Sequence, residues 1–113
     1  MLTGVHAILY SSNPEADRAL LRDVLHLANV DAGEGWLIFA LPPAEMAVHP
    51  AEASGGQEIY LICDDIQTFM REMTEHGIEC SGVQALSWGL LTRISLPGGG
   101  QLGVYESRHA RPE

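Results

Sequence analysis

The feature that most limits what this chain can fold into is that one unit is written twice. The later copy closes on Leu96-Pro-Gly-Gly-Gly-Gln-Leu-Gly-Val-Tyr-Glu106. This is a strand end, a glycine turn and a final strand in which Leu102 and Val104 alternate with Gln101, Gly103 and Tyr105. Three glycines between strands first of all make a turn, because glycine reaches positive φ without steric cost. A phosphate-binding loop runs from strand into helix, and here a strand follows, so that reading is set aside. The earlier counterpart is Gly35-Trp-Leu-Ile-Phe-Ala-Leu-Pro-Pro-Ala-Glu-Met-Ala-Val-His49, with the same apolar strand, proline-containing turn and alternating strand. A duplicated unit places the expected site where its two copies face each other.

From Gly4 to Tyr10, Val5, Ala7 and Leu9 alternate with His6, Ile8 and Tyr10, which predicts a strand with one face against helices. Ser12 or Asn13 then caps a helix with Pro14 in its first turn and Ala16, Leu20, Val24 and Leu27 as its apolar stripe. Residues 29–34 form a turn-rich connection with room for a short strand. Trp36 to Leu41 is an apolar strand ended by Pro42 and Pro43, and Glu45 to His49 a short alternating one. Ala51 to Gly56 reads as the linker. The pattern then restarts. Glu58 to Cys63 predicts a strand with Ile59, Leu61 and Cys63 on one face and Glu58, Tyr60 and Ile62 on the other. Asp64 or Asp65 caps a second helix with the stripe Ile66, Phe69, Met70 and Met73, stopped by Gly77. Further strands are expected over Ile78 to Leu86, irregular at Ser81-Gly82, and over Leu90 to Leu96. The expected architecture is therefore α+β: two βαβββ modules, about 3–50 and about 57–106, with a polar tail at 107–113. Together they predict a curved, eight-stranded mixed sheet with helices outside and a cleft inside.

Bulk properties narrow the functional classes. A chain of 113 residues makes one domain. A formal charge of −9, with only six basic residues, all arginine and all scattered, disfavours nucleic acid or an anionic membrane as partner. No apolar run is long enough to span a bilayer, and the N-terminus lacks the pattern of a signal peptide. Cys63 and Cys80 are too few for a disulfide framework and too far apart in sequence for a zinc motif. A cytoplasmic setting is the expectation.

Four stretches carry a resemblance: His6-Ala-Ile-Leu-Tyr10, Asp17-Arg-Ala-Leu-Leu-Arg-Asp-Val-Leu25, Tyr60-Leu-Ile-Cys-Asp-Asp-Ile66 and Leu96-Pro-Gly-Gly-Gly-Gln-Leu-Gly-Val-Tyr105. In order and spacing they resemble the vicinal-oxygen-chelate superfamily of glyoxalase I, extradiol dioxygenases, fosfomycin-resistance and bleomycin-resistance proteins. The resemblance covers essentially Gly4 to Glu106. It implies a paired βαβββ fold, a homodimer and a cleft that holds small molecules. In metal-dependent members the ligands come from the first, fourth, fifth and eighth strands. Matched residue by residue, these positions fall on His6, Ala47, Glu58 and Gly103. Alanine and glycine offer a divalent ion no side-chain donor. No cofactor is therefore expected.

The alternative is a divalent metal held by a rearranged set. His49 lies two residues beyond Ala47 and shares the face of His6 by strand parity, so His6, His49 and Glu58 would make a two-histidine, one-carboxylate group. A step of roughly 7 Å along the strand separates it from the family position. Without metal, His6 is either a general base or hydrogen-bonded to Glu58 across the cleft, and the two together form a candidate acid–base pair. Ile8, Tyr10, His49, Tyr60, Gly103 and Tyr105 are the expected ligand-binding residues, the three tyrosines pointing cleftward by parity. Trp36 and Trp88 begin matching strands and are expected to pack. Arg93 has two readings, a partner for an anionic ligand and a solvated surface arginine, of which the second is the expectation; Cys63 is expected on the helix side as an inert thiol. His26, His76 and His109 are assigned no role. Three functions fit: a binding protein for a small, partly aromatic molecule; a lyase, isomerase or dioxygenase; or an accessory protein with a vestigial cleft.

Overall fold

The structure is a computed structural model that describes residues 6–45, 47, 49–50, 52–54, 57–110 and 112. Its two helices start and stop where side-chain chemistry dictates. Asn13 accepts the Ala16 amide and Pro14 opens α1 (Pro14–Asp23). Asp65 accepts the Thr68 amide to open α2 (Ile66–Glu75). Gly77, at φ +71°, turns the chain out of the helix while the Ile78 amide reaches back to the Met73 carbonyl at 2.8 Å. The carboxylate of Glu106 also accepts the Ile66 amide at 3.0 Å, placing a second anion at the N-terminus of α2.

Six strands are present among the described residues. A two-stranded antiparallel ribbon joins β1 (Asn29–Asp31) to β2 (Leu37–Phe39). A four-stranded sheet in the order β3-β6-β5-β4 joins β3 (Tyr60–Cys63), β4 (Gln84–Leu86), β5 (Gly89–Ser95) and β6 (Gln101–Ser107). β3 runs parallel to β6, and the other pairs are antiparallel. This is one complete βαβββ module. The stretch before β4 breaks as its Ser81-Gly82 pair suggests, and only Cys80 bridges to Ile94.

The expected eight strands in one curved sheet are not confirmed: the described residues form six strands in two sheets. His6 to Tyr10 carries the expected alternation but pairs with no strand and lies exposed. Alternation reports a face that suits a sheet; it supplies no neighbour to hydrogen-bond with. The segment after β2 has no amide to offer at Pro42 and Pro43, and the described residues up to His49 form no strand. The expected start of the first strand at Gly4, Met46 and Val48 of the fourth, and Ala51, Gly55 and Gly56 of the linker lie outside the described residues.

Side-chain parity in the larger sheet sorts as the sequence predicts. Ile59, Leu61, Ile94 and Leu102 face the helices and pack with Leu20 of α1 and Phe69 and Met73 of α2. Each such side chain contributes about 1.5–3 kcal/mol by leaving water. Tyr60, Arg93, Gly103 and Tyr105 fall on the other face. No helix among the described residues is long and apolar enough to cross a membrane.

Candidate functional site

The face of the sheet turned away from the helices is built around a missing side chain. Register sets Gly103 between Tyr60 of β3 and Arg93 of β5. The ring of Tyr60 lies over Gly103 so closely that a Cβ there would meet Tyr60 Cδ1 and come within 2.6 Å of Cε1. The space above Gly103, where the resemblance sets the last-strand carboxylate, is filled by an aromatic ring.

That ring belongs to a cluster. Trp88 sits in the two-residue turn between β4 and β5, since Leu86 pairs with Gly89. Gly89 lets this hairpin lie tightly on β6, as a Cβ would run into the Glu106 carbonyl and the Tyr105 ring. Ring centroids of Trp88 and Tyr105 are 4.8 Å apart, of Tyr60 and Trp88 5.8 Å, and of Tyr60 and Tyr105 6.0 Å, all edge to face. The Tyr105 hydroxyl meets His109 Nε2 at 2.9 Å, and His109 Nδ1 meets the Ala110 carbonyl at 2.8 Å. A carbonyl only accepts, so Nδ1 carries the proton, and in the neutral ring Nε2 accepts from Tyr105. Glu45 Oε1 approaches the same nitrogen at 3.6 Å, bringing the first half of the chain to this end of the cluster.

Beside the rings the face becomes polar. Arg93 stacks its guanidinium over Tyr60, 5.7 Å from the ring centroid. It lines a hollow of about 240 Å³ with Glu79, Ser81, Ser95 and Gln101. At the outer end of Tyr60, Glu58 accepts the phenol proton at 2.7 Å.

Of the residues singled out in the sequence, Glu58, Tyr60, Gly103 and Tyr105 are brought together. His6, Ile8 and Tyr10 are exposed, Tyr10 to 92%, and His49 is exposed as well. His6 makes no hydrogen bond to Glu58, whose carboxylate is taken by Tyr60. No three His, Cys, Asp or Glu side chains converge as a metal-holding group among the described residues. The residues present do not fit the superfamily's metal, since Ala47 and Gly103 lack donors and Tyr60 occupies the space above Gly103. Trp88 packs, as expected, whereas Trp36 is exposed and covered on one side only by Arg18, 5.0 Å from its ring. Burial, then the Glu106 and Asp64 carboxylates, push the Cys63 thiol up to about 11, so it is protonated at neutral pH.

Three further residues lie on this face: His109, read from the sequence as tail; Arg93, weighed as an anion partner and placed at the solvated surface; and Trp88, read as packing. Only the spacing of Tyr105 and His109 across the end of β6 hinted at the first.

Comparison with solved structures places this geometry. The chain superposes on TnmS3, an antibiotic binding protein from Streptomyces sp. CB03234, with a TM-score of 0.66 at 19% identity, covering 95% of this chain and 99% of that one. Lactoylglutathione lyase from Agrobacterium tumefaciens gives 0.68 at 18% identity, covering 92% of each. The chain has the glyoxalase-like fold. A member of the glyoxalase/bleomycin resistance protein/dioxygenase superfamily from Sphaerobacter thermophilus DSM 20745 shares that fold at 0.63 and 22% identity, over 94% of this chain and 98% of that one. No family model matches the sequence, and no curated protein is similar to it. The glyoxalase-like fold accounts for the module of β3, α2 and β4–β6, and for the helix-free face on which the aromatic cluster lies.

Proposed function

We propose that this glyoxalase-like chain is a binding protein for a small, partly aromatic molecule, held in a cytoplasmic setting on the helix-free face of its sheet. The observation that carries the reading is the Tyr60 ring seated on Gly103, which turns a metal-ligand position into part of an aromatic wall with Trp88 and Tyr105. Flat rings stack on such a wall with little ordering cost, because its members already fix one another. Similarity to an antibiotic binding protein supports the same reading.

The second reading is an enzyme of the same fold, favoured by similarity to lactoylglutathione lyase. It needs His6 brought to Glu58, or a metal held by His6, His49 and Glu58. One experiment separates the two. Untagged protein is analysed for metals and titrated with 2-naphthamide while Trp88 emission is followed in a Trp36→Phe background. Saturable quenching, lost in Tyr60→Leu, supports binding on the aromatic wall. Near-equimolar divalent metal that disappears in His6→Ala decides for the enzyme.

A further inference from the structure

Among the described residues, Arg93 is the cation of this face, and its charge is unspent. Its guanidinium is half-buried and held on the Tyr60 ring, yet no carboxylate lies within 4 Å of it among the described residues, and its side chain donates no hydrogen bond to any of them. A guanidinium offers five N–H donors in a planar fork suited to a two-oxygen anion. Of the carboxylates on the face, Glu79 lies exposed at the edge of the same hollow, beyond 4 Å of the guanidinium, and two others are placed elsewhere. Glu58 is engaged by the Tyr60 hydroxyl, and Glu45 lies by His109 at the far end of the cluster.

We infer that the ligand of this face is a planar aromatic monoanion, its ring against Tyr60 and Trp88 and its charged group on the guanidinium of Arg93. The inference rests on the binding function proposed above and adds the charge of the ligand and the residue that selects it. Ser95 and Gln101 share the hollow with Arg93 and supply neutral polar groups beside the anion. Glu79 lines the same hollow and limits the ligand to a single negative charge, since a dianion would meet its carboxylate and a chain of formal charge −9. Cation–π contact already holds Arg93 against Tyr60, so little freedom is lost when an anion docks.

The test is calorimetric titration with three probes of one shape: 2-naphthoate, 2-naphthamide and 2-naphthylmethylammonium. Naphthoate is expected to bind at least roughly tenfold more tightly than naphthamide, as charge-assisted hydrogen bonds outweigh neutral ones. Arg93→Gln is expected to abolish that preference, weakening naphthoate at least roughly tenfold more than it weakens naphthamide, with an unchanged far-ultraviolet circular dichroism spectrum showing that the variant is folded. Tyr60→Leu is expected to weaken both probes alike. Equal binding of all three probes, a preference for the ammonium, or a naphthoate preference that survives Arg93→Gln overturns the assignment and leaves the aromatic wall standing. If no probe binds at all, the binding function itself falls, and this assignment with it.

Discussion

At the scale of single residues, Gly103 and Tyr60 make the sharpest case. Any side chain at Gly103 must displace the Tyr60 ring, so Gly103→Ala is expected to cost about 1–3 kcal/mol of stability in urea denaturation. In a Tyr60→Ala background the obstacle is gone, and the same substitution should be near neutral. An equal cost in both backgrounds would show that the ring does not rest on the glycine. The sequence marked Gly103 as the position that had lost a donor, without showing what fills its place. Parity along β6 is a local property and was readable. What fills the space comes from β3, and its ring reaches Gly103 only through the parallel register of Tyr60 with Gly103, a pairing between residues far apart in sequence. Arg93 was legible as a candidate anion partner, but its stacking on Tyr60 was not, for the same reason: it also pairs with Gly103, and Tyr60 is on a strand distant in sequence.

At the scale of elements, the start of α1 is tied to the glycine turn between β5 and β6. Asp17 is only 7% exposed, and its Oδ1 accepts the Gly98 amide at 2.8 Å while Ser12 donates to the Gly98 carbonyl at 2.8 Å. A Cβ on Gly98 would press on Ser11 and Asp17, so the turn must be bare of side chain where the helix crosses it. Asp17→Ala leaves a part-buried amide without its charged acceptor and is expected to lower stability by about 1–3 kcal/mol. Hydrogen exchange at Gly98 should accelerate with it, whereas Glu15→Ala, on the exposed side of the same turn of helix, should do neither. Matching effects from the two substitutions would reduce Asp17 to one more acid at a helix start. Caps, stops and faces of these elements were legible: Asn13, Asp65 and Gly77 act where the residue types said they would. Asp17 was not, because acidic residues in a first turn are explained by the helix dipole alone, and nothing local announces a partner in a distant hairpin.

At the scale of the whole molecule, the described residues of the two halves of the duplicated sequence are unequally paired into strands. The second half makes a four-stranded sheet; the first keeps a short ribbon whose apolar hollow of about 310 Å³ is lined by Ala28, Val30, Ile38, Phe39 and Ala40. Ile8 is 59% exposed and Val30 65% exposed. A radius of gyration of 15.0 Å exceeds the roughly 13 Å of a compact domain of this length. Among the described residues β3 is an edge strand, paired with β6. An open strand edge beside an unpaired alternating segment invites a strand from elsewhere, and symmetric pairing is the commonest way to close it. We propose that the cover is a second copy of the chain, with the segment His6 to Tyr10 and the ribbon of one protomer lying against its partner. Light scattering during gel filtration is then expected to give twice the monomer mass at micromolar concentration. Ile8→Lys and Val30→Glu, which leave the core around Ile94 and Leu102 untouched, should each shift the protein toward monomer without unfolding it. A parent protein that elutes as monomer throughout removes the dimer, and the exposed first half then stands as the native surface of a single chain.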